Sequence, residues 1–307
     1  MSRSPFLPRL ARTLILLAIL GLVAAPIFVS AQSELRRADA NFAAKNYPDA
    51  AAQYEHVARL LFWRTDLLER AGRAAFAGRD FESAIRLFNE SPALSADGWT
   101  DLGESYFQLK RYDESVRAYQ RGIQARGGTA SLYRGLVLAY NAQGDLAGET
   151  SALVEYVARA PEDAPARYRL GLLLTLSDPN HALEELLAAA QMEAAYDPAY
   201  QTMRTAVNLS ALEADDSRRL VIVGRGLGLV QEWPLAREFF QHAAQADANN
   251  AEAWAWIGEA KQHTGQDGRA DLERAEALDP FNANVRALFG LYWKRVEQPQ
   301  RALAEFQ

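Results

Sequence analysis

Four histidines are the residues best suited to metal ligation or to proton transfer near neutrality, and no cysteine accompanies them. The phrase His181-x2-Glu184-Glu185 puts an imidazole and a carboxylate on one helical face, an arrangement that could hold a metal ion. No second histidine lies nearby to complete it, so the phrase reads as an exposed helix start. His242 and His263 fall at unrelated places and read as surface residues. Gly224-Arg225-Gly226-Leu227-Gly228 suggests a phosphate cradle, but it lacks GxGxxG spacing and no strand precedes it. Its glycines read instead as a face that lets helices approach closely. The neighbouring acids Asp215-Asp216 and Glu184-Glu185 diverge on a helix, whereas general acid–base chemistry needs groups that converge on a substrate. GxSxG, HExxH, Walker and haem-attachment motifs do not occur. A cysteine-free chain also has no disulfide, thiol nucleophile, Cys-ligated zinc or iron–sulfur cluster. The reading is therefore non-enzymatic, with no catalytic residue, metal or cofactor.

If the chain does no chemistry, its elements must serve another purpose. Its 307 residues suffice for one large domain or two small ones, and a hydrophobic share of 49% is ordinary for a soluble chain. A formal charge of −6 argues against nucleic-acid binding, which needs a basic face. Residues 1–31 differ from the rest. Arg3, Arg9 and Arg12 precede the apolar run Leu14 to Ala25, then Pro26 and the small residues Ser30 and Ala31. This is the plan of an export signal, with Pro26 expected to end its helix and a cut expected after Ala31. The alternative is an uncleaved anchor, membrane contact then being limited to residues 13–29. The sixteen apolar-type residues from Leu14 to Val29 are short for a span, which wants about 20. Either way the remainder is expected outside the cytoplasm, in a bacterial-type cell envelope, secreted or held by one N-terminal anchor. Setting aside the three arginines takes the charge from −6 to −9.

The remainder repeats itself. Tyr47, Phe81, Tyr112 and Leu146 open similar phrases at separations of 34, 31 and 34 residues. Small residues recur upstream at Ala38, Gly72 and Gly103, continue in register at Val137 and Gly171, and resume at Gly224, Gly258 and Gly290. In the third unit Trp99, Leu102, Gly103 and Tyr106 follow i, i+3, i+4, i+7 spacing and so share a helical face. Lys110-Arg111-Tyr112 forms a turn, and Ser115, Tyr119 and Gly122 line one side of a second helix. Gly103 and Ser115 are small where the two helices must meet. A single pair cannot bury its apolar stripe, so neighbouring pairs must stack.

These residues resemble the tetratricopeptide repeat (TPR) family. The pattern is carried by Trp99-x2-Leu102-Gly103-x2-Tyr106 with Tyr112, Ser115 and Tyr119, and again by Trp254-x2-Ile257-Gly258. Trp233 with Ala236, Phe240 and Ala243, and Phe289-Gly290 with Ala302 and Phe306, continue it. The resemblance implies an all-α, right-handed superhelical solenoid of antiparallel helix pairs. Its units start near 31, 65, 96, 130, 164, 217, 251 and 283. Five repeats fill 32–195, an irregular helical insert fills 196–216, and further repeats fill 217–307. Val137 and Glu149 occupy places usually small, so that pair is expected to be splayed or turned. A residue is missing through Ser177-Asp178-Pro179, and the turn carrying Gly265 and Gly268 is two residues short. Tyr200 to Ala214 reads as a lone helix. The chain stops at Gln307 inside a second helix, so a continuation, a frayed end or a partner is expected there.

The resemblance further implies a concave groove lined by first helices, in which a protein or peptide partner lies. The groove-facing places fall on Asp39, Asp66, Glu69, Arg73, Glu104 and Phe107, then Arg134, Leu138, Asn141, Tyr168 and Leu172. Arg218, Arg225, Glu259, Lys294 and Arg295 complete the series. It grades from acidic through apolar to basic, which suits a segment of the opposite gradient. The lysines of the carboxylate-gripping subclass are missing, with Leu35, Asp39, Glu69 and Arg73 in the early units. The expected role is an interaction scaffold; the rival is the accessory repeat region of a larger envelope enzyme or polysaccharide- or protein-processing complex. A carbohydrate-binding role through exposed Trp and Tyr is disfavoured, since most aromatics fill core places.

Overall fold

The computed structural model describes the backbone of residues 6–307 and the side chains of Thr13, Leu22 and residues 25–307. The side chains of the arginine head and of most of the apolar run, on which the signal and anchor readings rest, are not among those described. Among the described residues all regular structure is helical. The N-terminal helices are α1 (Phe6–Ala43), α2 (Tyr47–Leu60), α3 (Asp66–Ala77), α4 (Phe81–Glu90), α5 (Ala96–Gln108) and α6 (Tyr112–Arg126). Then come α7 (Ala130–Gln143), α8 (Leu146–Arg159), α9 (Ala164–Leu174), α10 (Pro179–Met192), α11 (Asp197–Ser210) and α12 (Asp216–Leu229). The last are α13 (Trp233–Ala246), α14 (Ala251–His263), α15 (Arg269–Leu278), α16 (Ala283–Arg295) and α17 (Pro299–Phe306). The fold is an α-solenoid of helix pairs, and it divides within α8 into two compact units, 1–152 and 153–307.

One turn joins the two helices of nearly every pair. Lys45, Arg79, Lys110, Gly144, Gln231, Gly265 and Glu297 all take the left-handed conformation, with φ between 58° and 76°. In each case the following N–H donates to a carbonyl five residues back, as Arg111 N does to Tyr106 O at 2.9 Å and Glu232 N to Leu227 O at 2.9 Å. This is the hydrogen-bond pattern of a Schellman cap, and it satisfies carbonyls the helix end leaves free. The deletion at Ser177-Asp178-Pro179 breaks the series: Asp178 N reaches only four residues back, to Leu174 O at 2.8 Å. First helices are started by side-chain caps from Ser95, Thr129, Asp163, Asp215, Asn250 and Asn282.

In the N-terminal unit, Ser115 Oγ donates to Gly103 O at 2.8 Å, and the ring of Tyr119 covers the place a Gly103 Cβ would need. Tyr119 fills the same role against Gly135 of the next pair, so one buried ring stacks two repeats. Glu149 is buried and accepts a hydrogen bond from Asn141 Nδ2 at 3.2 Å. Two expectations are corrected here. Pro26 lies inside α1 and does not end it. The helix continues because its next turns are fixed by burial of Ala31, Leu35 and Ala38 in the first repeat's core. In the C-terminal unit the irregular helix runs from Asp197 to Ser210, not from Tyr200 to Ala214, since Pro198 suits a first turn. It packs on α12 where Gly226 meets Ala206 and Met203.

Candidate partner-binding surfaces

In the N-terminal unit Glu69 and Arg73, read from the sequence, lie on α3 beside Asp97 and Asp101 of α5, which sequence reasoning missed. Glu69 accepts hydrogen bonds from the backbone N–H of Ser95, at 2.9 Å, and from its hydroxyl. Ser95 in turn caps α5, so Glu69 is fixed by the start of the next repeat. One turn on, Arg73 Nε lies 3.4 Å from Asp101 Oδ2, and its Nη2 lies 3.8 Å from Asp97 Oδ2. The Asp101 side chain is only 20% exposed. Burial pushes its carboxyl up to about 6; Arg73 opposes the rise, while Asp97 and Glu69 add to it. Two carboxylates thus share one guanidinium, with Glu69 near enough to add to the rise on Asp101.

Asp39 belongs to a tighter cluster. Tyr54 OH donates to it at 2.6 Å, Arg70 donates alongside, and the Arg70 guanidinium also lies over the Tyr54 ring at 4.5 Å. Burial, with Asp39 adding to it, pushes the Tyr54 phenol up to about 12. Asp66 pairs with Arg64, 2.8 Å away, and its pKa is lowered chiefly by that hydrogen bond. Glu104 accepts from Gln108 at 2.6 Å and from Tyr119 OH at 3.4 Å. Phe107, half-buried, packs against Tyr112 with centroids 5.4 Å apart and braces the turn of its own pair. The same brace recurs as Phe42 with Tyr47 and Phe76 with Phe81. Arg134 and Leu138 are exposed on α7, whereas Asn141 is turned toward the buried Glu149.

In the C-terminal unit two expected groove residues are withdrawn from the surface. Leu172 is fully buried, because α9 buries residues 170 to 175 without a break and leaves no open face there. Glu259 is buried too, held by Arg295 Nη1 at 2.6 Å and by His263 Nε2 at 3.2 Å. Glu259 and Arg295 therefore satisfy each other across α14 and α16. His263 is exposed, as read from the sequence, and its ring stacks on Trp233 at 3.8 Å. Tyr168 stacks on Tyr196 at 4.7 Å, and burial, with Glu232 adding to it, pushes its phenol up to about 12. Lys294 is exposed.

Arg225 does face open space. With Arg218 and Ile222 it forms a stripe on α12 at i, i+4, i+7 spacing, and its guanidinium sits over Trp256 at 5.3 Å. The stripe borders two adjoining cavities. One, about 810 Å³, is rimmed by Asp247, Asn250, Asp279 and Asn282 from the turns before α14 and α16. The other, about 680 Å³, is apolar, walled by Ala206, Leu209, Leu212 and Leu229 between α11 and α12. Leu212 is 82% exposed and Leu229 75%. Sequence reasoning missed this cleft because α11 stands outside the repeat pattern. The usable signal was Gly226, a small residue on a face that no second helix of the repeat needs.

The phrases that suggested chemistry are accounted for by packing and pairing. Glu185 accepts from Arg167 at 2.6 Å and lies 3.4 Å from His181. Gly224 faces Phe240 and Gly228 faces Trp233, as close helix packing requires. Among the described residues no group of three or more His, Cys, Asp and Glu side chains could hold a metal ion.

No protein-family model matches the chain, and no curated protein matches it. Several solved structures are similar to it. YrrB, described as a TPR protein with an unusual peptide-binding site, is 14% identical over 66% of this chain and 97% of its own, with a TM-score of 0.43. A tetratricopeptide repeat protein from Parabacteroides merdae is 14% identical over 79% and 90%, with a TM-score of 0.41. TTC0263, a thermophilic TPR protein in Thermus thermophilus, is 16% identical over 56% and 97%, with a TM-score of 0.36.

Proposed function

We propose that the chain is a non-enzymatic scaffold that holds another protein outside the cytoplasm, tethered to a membrane through residues 13–29. The observation that carries the binding role is the contrast between the buried helix-pair interfaces and the surfaces they leave open. The repeats bury their own stripes, yet leave Asp97 and Asp101 beside a single Arg73 in one unit, with Glu69 adding to the negative charge there. In the other unit they leave the apolar cleft beside Arg225. The acidic cluster suits a Lys or Arg of the partner, and the cleft suits the apolar face of a short helix. Retention of the N-terminal segment is supported by the burial of Ala31, since a cut behind it would remove a core residue of the first repeat.

Affinity capture with the full chain in detergent tests the binding role. Asp97→Lys with Asp101→Lys alters one surface, and Leu209→Glu with Leu229→Glu alters the other. The expected result is loss of the same partner from at least one of the two variants. A partner set that survives both double changes would sink the assignment. Protease accessibility on cells with a permeable outer boundary tests export, and complete protection of the repeats would count against it.

A further inference from the structure

We propose that Phe62 and Trp63, with the α1 residues beside them, form an apolar collar that seats the first repeat on the lipid bilayer interface. The proposal rests on the tethering reading above and extends it to a second membrane contact. Phe62 is 79% exposed and Trp63 56%, an unusual placement for two adjacent large aromatics in the turn between α2 and α3. Their rings meet edge to face at 5.2 Å. An apolar cavity of about 410 Å³ adjoins them, lined by Ala25, Ile27, Phe28, Leu60, Leu61 and Trp63 without a charged group. Leu22 and Val29 on α1 are exposed as well. The patch therefore joins two segments distant in sequence into one uncharged surface.

A bilayer is the occupant favoured over a second copy or a peptide because of what α1 is continuous with. The helix leads back from the collar into the run Leu14 to Ala25, whose sequence is wholly apolar and lies behind Arg9 and Arg12. Sixteen apolar-type residues at 1.5 Å each reach about 24 Å, short of the roughly 30 Å hydrocarbon thickness. A short span is accommodated by interfacial anchors, and Trp is the side chain enriched at that depth. Arg59 and Arg64 flank the aromatic pair in the sequence, at the place where a headgroup layer would begin.

The natural absence of cysteine makes the test direct. The full chain carrying Phe62→Cys is labelled with an environment-sensitive fluorophore and reconstituted in phosphatidylcholine–phosphatidylglycerol vesicles. An Ala125→Cys label, at an exposed position on α6, serves as the control. The expected result is a blue shift and loss of emission to spin-labelled lipid at position 62, with neither at 125. A blue shift without quenching by lipid means that protein covers the collar, and overturns the proposal. Emission at 62 that stays water-like in a chain that still floats with vesicles overturns the collar and leaves the tether standing. A chain that does not float with vesicles overturns both.

Discussion

Asp101 is the residue whose charge state reports most directly on the acidic cluster. Its carboxyl titrates near 6 when folded, against an ordinary 3.8. Between those values the folded state holds a proton the unfolded chain has released, so this group's contribution to stability falls as pH rises from about 4 to 6. The difference amounts to at most about 3 kcal/mol at pH 7, a net in which Arg73's opposing effect is already included. Asp101→Asn is expected to raise the Tm at pH 7 and to flatten its fall between pH 4 and 6. A steeper fall in the variant would refute the assignment. Binding of a partner's cation would release the proton, so affinity should rise from pH 5 to 7. Glu259 is a buried carboxylate held by Arg295 and His263. Arg295→Met strips it of its strongest partner and should cost about 3 kcal/mol in a denaturation experiment. Adding Glu259→Gln should recover much of that loss, because no charge then remains stranded.

The recurring element is the helix pair closed by a left-handed residue, and five of its seven such turns use a residue other than glycine. A side chain in that conformation costs about 1–2 kcal/mol, while glycine loses some of the gain to its freedom in the unfolded chain. Lys110→Gly should therefore raise the Tm modestly, and Gly144→Ala should lower it by the equivalent of about 1 kcal/mol. If both shift the Tm the same way, the turn does not work as described. The turns of the first three pairs are braced by an aromatic on each helix, Phe107 with Tyr112 among them.

Over the whole molecule, charge and exposed apolar surface decide what the repeats attract. Beyond residue 31 the formal charge is −9, so a basic partner is drawn in from a distance and then held by short contacts. Salt separates the two contributions, since screening lengths shrink from about 10 Å at 0.1 M to 3 Å at 1 M. Titration of a captured partner should show affinity falling with salt. Leu209→Glu with Leu229→Glu should weaken binding at every salt concentration instead.

The repeat order was legible from spacing because each pair must place small residues where its helices cross and large ones where pairs stack. Gly103, Tyr119 and Gly135 meet those demands through contacts within about one repeat, which a sequence displays directly. The shortened turn at Ser177-Asp178-Pro179 was legible for the same reason. The tertiary structure alone decided which polar and apolar residues remain available. Leu172 and Glu259 occupy places a linear pattern assigns to a groove, yet one is enclosed on all sides and the other is claimed by an arginine 36 residues away. The collar at Phe62 and Trp63 and the cleft beside α11 likewise arise where a repeat meets a segment outside the pattern. Their exposure depends on what packs beside them, and no periodicity records that.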